Sequence, residues 1–208
     1  INNARHDKPA RDKNLRALYA GIPSSRKITN LLKSAEKCGL NSLVIDMKDD
    51  EGNILFASGN PLAAETGAIK SSADVPGMIK LVHVKKMKAI ARMVVFKDRR
   101  LYRARNNRYA IHDRITGNPW YAGNREYWVD PSSPDVHGYV IDMAVELQNL
   151  GFDEIQFDYI RFPSDGDTDR CDYSDMYGKG FYSSEIIEDF LKQARDRLNV
   201  PISVDIYG

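Results

Sequence analysis

The chain has 208 residues, and its 30 lysines and arginines nearly balance its 29 aspartates and glutamates. A dedicated nucleic-acid-binding protein would normally carry a basic excess, so the formal net charge of +1 argues against a nucleic-acid partner. No apolar run reaches the length of about 18 residues that indicates a membrane-spanning helix. The two cysteines are too few and too far apart for a disulfide framework or a zinc cluster.

Short apolar runs alternate with amphipathic stretches along most of the chain. Residues 1–14 are polar and charged, and we expect them to form an N-terminal segment outside a single domain at 15–208. The apolar runs predict strands at 15–20, 42–47, 88–96, 154–159 and 202–206. Apolar residues at helical spacing predict helices at 28–38, 74–84, 133–150 and 184–198.

Strands that alternate with helices predict a parallel sheet, either an open doubly wound sheet or a (β/α)8 barrel. The first strand is followed by no glycine-rich phosphate-binding loop, which removes the usual basis for a doubly wound sheet. Charged and aromatic residues follow nearly every strand, as they do at the catalytic face of a barrel. We therefore predict an α/β fold of TIM-barrel type with about five of the eight strands. On the scale of a whole barrel, we expect about three further βα units in the native protein.

The most informative stretch is 151–163, in which an alternating strand ends by presenting Asp158, Tyr159 and Arg161. An arginine three residues from Asp158 can stabilise the ionised carboxylate. An ionised carboxylate that faces a cleft is what a glycosidase nucleophile requires. The alternative is a structural ion pair between Asp158 and Arg161 that ties a loop to the rim of the barrel.

A second carboxylate, Asp205, ends the strand next to that of Asp158. Carboxylates on adjacent strands can form a catalytic pair, separated by about 5 Å for retention or about 6.5 to 9.5 Å for inversion of the anomeric configuration. Two alternatives remain open here: Asp205 caps a loop, or the catalytic acid lies on the absent strands.

Further polar residues near the strand ends are candidates for substrate binding. Strand alternation places Asp46 and Lys48 on one side, where they could pair and point into the barrel mouth. Arg92 lies on the third strand and faces either the mouth or the interior. The acids at 49–51 lack the spacing of a calcium loop and indicate a solvated turn. The histidines show no ligand spacing, so we predict no metal site.

An aromatic, basic stretch at 97–128 separates the third strand from the third helix. Its length exceeds ordinary connections and favours a functional loop. The candidates for a platform on which sugar rings stack are Trp120, Trp128 and Tyr159. Further substrate-binding candidates are Lys97, which begins the stretch, and Asp130, which lies just after it. The same composition could pack the loop on itself or bind single-stranded nucleic acid, although the neutral charge weighs against the last.

Several of these stretches resemble a known family: 44–52, 91–98, 128–131, 151–164 and 204–208. Together they are similar to the bacterial family described as a "putative glycosyl hydrolase domain", TIM-barrel proteins distantly related to α-amylase-type glycoside hydrolases. The resemblance runs from about Leu15 to the end. It implies a barrel, a carbohydrate substrate and an extracellular or cell-envelope location. It also implies that Asp158 occupies the fourth-strand position of the amylase nucleophile.

The leading hypothesis is an O-glycosyl hydrolase without a cofactor, in which Asp158 and Asp205 are catalytic and the other candidates orient the substrate. The first alternative is a non-catalytic carbohydrate or cell-wall binding module on a barrel scaffold. The second is a barrel enzyme of different chemistry, a deacetylase or a lyase, with a divalent metal at Asp46 and Asp158. The sequence does not predict an oligomeric state.

Overall fold

The structure is a computed structural model that describes residues 12–21, 25–70, 73–123, 126–173 and 182–206. Residues 1–11 of the predicted N-terminal segment therefore lie outside the described residues. Within the described ranges, no helix combines the length and the apolar character needed to cross a lipid bilayer.

The central sheet contains five parallel strands in the part of the chain that the structure describes. In chain order the strands are β1 (Ala17–Gly21), β2 (Ser42–Lys48), β3 (Lys88–Val94), β4 (His112–Asp113), β5 (Glu154–Asp158), β6 (Cys171–Asp172) and β7 (Ile202–Val204). The sheet has the order β1-β2-β3-β5-β7, while β4 and β6 pair antiparallel outside it. Neighbours in the sheet follow one another along the chain without a reversal. This order lacks the switch point of a doubly wound sheet and is that of consecutive strands in a barrel.

The helices are α1 (Ser25–Lys37), α2 (Pro61–Glu65), α3 (Val75–Val84), α4 (Arg99–Asn107), α5 (Pro134–Leu150) and α6 (Ser183–Arg197). The four predicted helices correspond to α1, α3, α5 and α6. The short helices α2 and α4 lie inside the connections that follow β2 and β3, and were not predicted. A side-chain cap was available as a signal for each of them: Asn60 accepts from backbone N–H groups of α2, and Asp98 does so for α4.

Local sequence explains where the long helices begin and end. Asp74 caps α3 by accepting a hydrogen bond from the Gly77 N–H at 3.0 Å. Helix α5 begins at Pro134 and is ended by Gly151, whose φ of 105° is in the left-handed region. The apolar face of α5 packs on the sheet, whose central strands β2 and β3 are almost entirely buried. The core therefore lies between the sheet and the helices.

Connections on the two faces of the sheet differ in length. The loops that lead from α1, α3 and α5 into the next strand contain three or four residues. The connections that leave the carboxyl ends of β2, β3 and β5 each contain more than twenty residues. Cys38, directly after α1, is exposed at the opposite, amino-terminal face, whereas Cys171 is buried. The carboxyl-terminal face therefore carries the long loops from which a binding or catalytic site can be built.

Candidate active site

Arg92 joins two carboxylates at the carboxyl-terminal face of the sheet. Strand pairing aligns Arg92 on β3 with Asp46 on β2, and places Asp158 at the end of β5. The Arg92 Nη1 group donates to Asp46 Oδ1 at 2.7 Å, and Nε donates to Asp158 Oδ2 at 3.0 Å. Nη2 also donates to Asp158 Oδ2. The guanidinium group thus bridges carboxylates on both sides of its own strand.

Tyr19 on β1 extends this bridge by one strand, since its hydroxyl group donates to Asp46 Oδ2. Partial burial and the hydrogen bond to Asp46 raise the pKa of Tyr19 to about 12. Burial alone would lower the pKa of Arg92, but its hydrogen bonds to Asp46 and Asp158 outweigh that effect and raise it. Tyr19, Asp46, Arg92 and Asp158 form a hydrogen-bonded chain across four neighbouring strands, which we call the Arg92 network.

Asp158 accepts a third hydrogen bond from the backbone N–H of Tyr159, which binds its Oδ1 atom at 2.7 Å. Tyr159 has a φ of 51°, in the left-handed region that non-glycine residues seldom adopt. Such a conformation costs on the order of 1 kcal/mol, and strained residues of this kind cluster at functional sites. The strain lies at the residue that follows the candidate nucleophile.

Asp158 and Asp205 line the same cavity, which has a volume of about 270 Å³. The Gln156 Nε2 group donates to Asp205 Oδ1 at 2.8 Å. The Asp205 N–H donates to the carbonyl of Phe157 at 2.9 Å. The two residues predicted to be catalytic are therefore brought together from adjacent strands. Sequence reasoning missed Gln156, although it precedes Asp158 by two residues in a strand and so shares its face. The full lining consists of Arg92, Asp158, Tyr159, Arg161, Asp205 and Ile206.

Arg161 does not pair with Asp158 as the sequence analysis expected. Its Nη1 group donates to the carbonyl of Phe162 at 3.2 Å and to Ser164 Oγ at 2.9 Å. Its guanidinium carbon lies 5.0 Å from the ring centre of Trp128 and 5.5 Å from that of Tyr159. The cation next to Asp158 is Arg92, from the neighbouring strand, and Arg161 contributes to the cavity wall instead.

Lys48 also differs from the prediction, because it neither pairs with Asp46 nor lines the cavity. Its side chain is 0% exposed, donates from Nζ to the Val94 carbonyl at 2.8 Å, and forms an ion pair with Asp98 Oδ2 at 2.9 Å. The pairing of β2 with β3 shifts register between Asp46 and Lys48, which breaks the alternation that would place them together. Asp46 remains at the site.

The two tryptophans and Asp130 are also placed differently from the prediction. Trp128 is 1% exposed, and Trp120 is buried with its Nε1 group donating to the Asp167 carbonyl at 3.0 Å. Asp130 is buried, and its Oδ1 atom accepts from the N–H of Ser132 at 2.8 Å. These side chains pack the long connection on itself, which was the alternative interpretation, and they offer no free face for a sugar ring.

Tyr159 and Lys97 remain next to the cavity. The Lys97 ammonium group lies 4.9 Å from the ring centre of Tyr159 and forms ion pairs with Glu126 at 2.9 Å and Asp50 at 3.5 Å. Burial alone would lower the pKa of Lys97, but the hydrogen bond to Glu126 and its anionic neighbours raise it. Lys97 therefore stays cationic behind the aromatic wall of the cavity.

The described residues contain no group of three or more His, Cys, Asp or Glu side chains that could hold a metal ion. The space between Asp46 and Asp158, which the metal-dependent alternative would need, is taken by the guanidinium group of Arg92. These two carboxylates are satisfied by a side-chain cation.

Both the sequence and the fold of this chain match known proteins. Residues 17–208 match the family described as "Putative glycosyl hydrolase domain". The chain belongs to this family. A solved structure of the same fold, a hypothetical protein from Ruminiclostridium thermocellum ATCC 27405, is 33% identical with a TM-score of 0.81. That match covers 90% of this chain and 96% of the other. No curated protein matches the sequence significantly.

More distant solved structures show the fold of this glycosyl hydrolase domain. The α-L-fucosidase isoenzyme 2 from Paenibacillus thiaminolyticus has a TM-score of 0.61 at 16% identity, over 91% of this chain and 32% of that one. A GH36 α-galactosidase from Geobacillus stearothermophilus has a TM-score of 0.56 at 15% identity, over 94% and 29%. The chain thus spans about a third of the length of these enzymes. The prediction of a (β/α)8 TIM-barrel type of fold is confirmed.

Proposed function

We propose that this domain is a glycoside hydrolase that cleaves a poly- or oligosaccharide with Asp158 as the nucleophile and Asp205 as the general acid. The observation that carries the proposal is that these carboxylates, from the ends of adjacent strands, line one cavity at the carboxyl-terminal face. The family match and the glycosidase-like fold support it. In barrel enzymes the catalytic groups lie at this face.

The surroundings of Asp158 suit a group that must carry negative charge. Two N–H groups of Arg92 and the N–H of Tyr159 all donate to its carboxylate. Such charge-assisted hydrogen bonds hold the carboxylate in one position at the cavity wall, where it can attack or stabilise an electron-deficient anomeric carbon.

The proposed reaction uses the two carboxylates in turn. As a bond forms between Asp158 and the anomeric carbon, the bond from that carbon to the glycosidic oxygen breaks, and Asp205 gives its proton to the leaving oxygen. Asp205 then removes a proton from water, which attacks the same carbon and releases Asp158. Tyr159 would contact the sugar ring, Arg161 would line its approach, and Lys97 would support the Tyr159 ring from behind.

The first test is the substitution Asp158→Asn, measured with a panel of aryl glycosides and oligosaccharides. We expect hydrolysis to be abolished while the melting temperature shows a folded protein. Asp142→Asn is the matched control, because Asp142 lies on the exposed side of α5 in an ion pair with Arg197. Undiminished hydrolysis by the Asp158→Asn variant would remove Asp158 from the mechanism.

A second test separates a nucleophile from a positioning residue. In Asp158→Gly, azide can enter the space of the carboxylate and attack the anomeric carbon as the glycosidic bond breaks. We expect azide to restore turnover and to yield a glycosyl azide. Restored turnover with no azide product would assign Asp158 an orienting role.

One specific observation favours a non-catalytic carbohydrate-binding module as the second candidate. Both carboxylates already have partners within the protein, Arg92 for Asp158 and Gln156 for Asp205. A module of this kind would bind glycans without turnover, and Asp158→Asn would leave its affinity unchanged. Affinity electrophoresis in glycan-containing gels distinguishes this outcome from hydrolysis.

We also propose an extracellular or cell-envelope location. Its support is the family resemblance, since the enzymes and modules that act on external glycans must reach them. Immunodetection in fractionated cells tests this proposal, and recovery of the protein in the cytoplasmic fraction alone would contradict it.

A further inference from the structure

A second cavity opens on the same face of the sheet. It has a volume of about 350 Å³ and is lined by residues of the connection after β2 and by three arginines of α4. Both segments leave the carboxyl ends of neighbouring strands, so the cavity lies on the carboxyl-terminal side of the sheet, as the candidate active site does. We call it the arginine cavity; its lining residues are Glu51, Asn53, Thr66, Arg99, Arg100 and Arg103.

The charges that line the arginine cavity do not cancel. Arg99 Nη1 forms an ion pair with Glu51 at 3.1 Å. Arg100 Nε donates to the neutral amide oxygen of Asn53 at 2.8 Å, and Arg103 Nη2 donates to the hydroxyl group of Tyr127 at 3.3 Å. Among the residues that the structure describes, no carboxylate forms an ion pair with Arg100 or Arg103. Two guanidinium groups therefore retain donors for an anion.

Two of the arginines are held over an aromatic ring. The guanidinium carbons of Arg99 and Arg103 lie 5.3 Å and 5.1 Å from the ring centre of Tyr127. Cation–π contacts of this kind restrict the orientation of a guanidinium group. An oriented guanidinium fork suits a carboxylate or a sulfate, which it can bind through two parallel hydrogen bonds.

Contacts connect the arginine cavity to the candidate active site. Glu51 follows Asp50, which forms an ion pair with Lys97 at 3.5 Å. Lys97 lies against the ring of Tyr159, and Tyr159 lines the cavity that contains Asp158. Three links therefore separate the two cavities: Glu51 to Asp50 along the chain, Asp50 to Lys97, and Lys97 to Tyr159.

We infer that the arginine cavity binds an anionic group carried by a sugar unit next to the cleavage site, so that the substrate is an acidic glycan. The shared chemistry is a sugar-borne carboxylate or sulfate ester that accepts hydrogen bonds from Arg100 and Arg103. This inference rests on the proposed function, because it assigns the substrate class of that site.

Binding is measured by calorimetry on the full chain carrying Asp158→Asn, which separates binding from turnover. The probes are oligogalacturonate, oligomannuronate and an oligosaccharide of carrageenan, a sulfated galactan without carboxylates, each paired with its methyl-esterified or desulfated form. We expect at least one anionic probe to bind about tenfold more tightly than its neutral form, as one charge-assisted hydrogen bond implies. Higher ionic strength should reduce this preference.

The decisive variant is Arg103→Gln, because this exposed side chain can be shortened without opening the core. We expect it to weaken binding of the preferred anionic probe about tenfold and to leave the neutral form unaffected. Lys192→Gln, an exposed substitution on α6, is the control. Whether the uronate or the sulfated probe responds identifies the source of the anion.

Two results would overturn the inference: no anionic probe binds more tightly than its neutral form, or the preference survives both Arg103→Gln and Arg100→Gln. Either result leaves the hydrolase proposal standing if neutral glycosides are cleaved. Conversely, arginine-dependent binding of an acidic glycan that the wild-type chain never cleaves would keep the arginine cavity and reject the hydrolase.

Discussion

At the scale of single residues, Arg92 holds the candidate site together, because it binds a carboxylate on each neighbouring strand. It neutralises carboxylates that would otherwise face each other across β3 with little access to solvent, since each of the three side chains is at most 20% exposed. Removing one partner from a buried charge cluster leaves an uncompensated charge, which is costly. Arg92 therefore contributes both to stability and to the position of the Asp158 carboxylate.

The substitution Arg92→Met should lower the free energy of unfolding by about 2 kcal/mol or more, because Asp46 and Asp158 then repel each other without a cation. Urea unfolding measures this loss. Arg197→Met, which breaks an exposed pair with Asp142, should cost less than about 1 kcal/mol. Equal losses in the two variants would show that the Arg92 network adds nothing beyond a surface ion pair.

His137 predicts a pH dependence of stability. It is fully buried on α5 beside Phe96 and Phe190, and its Nε2 atom lies 2.7 Å from the carbonyl of Pro131. Burial lowers its pKa, against the smaller raising effects of that hydrogen bond and of Asp189 and Asp130. The folded state therefore binds the proton less readily than the unfolded chain.

The contribution of His137 to stability is complete above about pH 6.5, the value of the unfolded chain, and is lost as the pH falls toward the lowered native pKa. Melting temperatures of the wild type and of His137→Gln, measured between pH 7.5 and 5, test this. We expect the gap between the two proteins to narrow on acidification. A gap that stays constant would contradict the sign of the shift.

At the scale of elements, the turn after β2 and the beginning of α4 are built around each other. Gly52 has a φ of 81°, and a Cβ atom there would lie 1.9 Å from Asp98 Oδ1. Asp98 cannot move easily, because its Oδ1 accepts from the N–H of Leu101 at 2.7 Å and its Oδ2 pairs with Lys48. This contact joins the turn that carries Glu51 and Asn53 to the helix that carries the three arginines of the arginine cavity.

The pair Gly52→Ala and Gly67→Ala isolates this contact. Gly67 has a similar φ of 61°, but a Cβ atom there would meet nothing within 4 Å beyond its chain neighbours. We expect Gly67→Ala to cost about 1 kcal/mol for the backbone alone, and Gly52→Ala to cost about 3 kcal/mol or more because the side chain also displaces Asp98. Thermal unfolding measures both losses of stability. Similar losses in the two variants would mean that Asp98 moves aside at little energetic cost.

Local patterns predicted the strands and long helices because apolar spacing, caps and stop signals lie within a few residues of one another. Asp158, Asp205 and Asp46 were located in the same way, as acids at strand ends. The partner of Asp158 could not be predicted, since Arg92 is 66 positions away and only the strand register brings it close. The burial of Lys48 and of Trp128 likewise depends on a register shift and on a folded connection that no short pattern encodes.

At the scale of the whole molecule, the sheet has a protected centre and two less protected sides. β2 and β3 have neighbours on both sides and are almost wholly buried, whereas β1 includes exposed residues and β7 is half-buried throughout. Stability against local opening should follow this gradient, because amides exchange fastest where backbone and apolar contacts are fewest.

Hydrogen exchange followed by mass spectrometry tests the gradient. We expect peptides from β3 to exchange last, those from β2 and β5 shortly before, and those from β1 and β7 first. Exchange of all five strands at one rate would indicate a single opening reaction for the sheet. Protection of β7 equal to that of β3 would mean that its outer side is covered in solution.

The position of Cys38 provides a single site for chemical attachment. Its thiol is exposed at the face opposite the candidate site, beyond the roughly 13 Å of strand that separates Ser42 from Asp46, while Cys171 is shielded. A maleimide dye or a linker to a solid support should therefore attach at one defined point. Immobilised in this way, every molecule would present both cavities outward, toward a flowing sample of glycans.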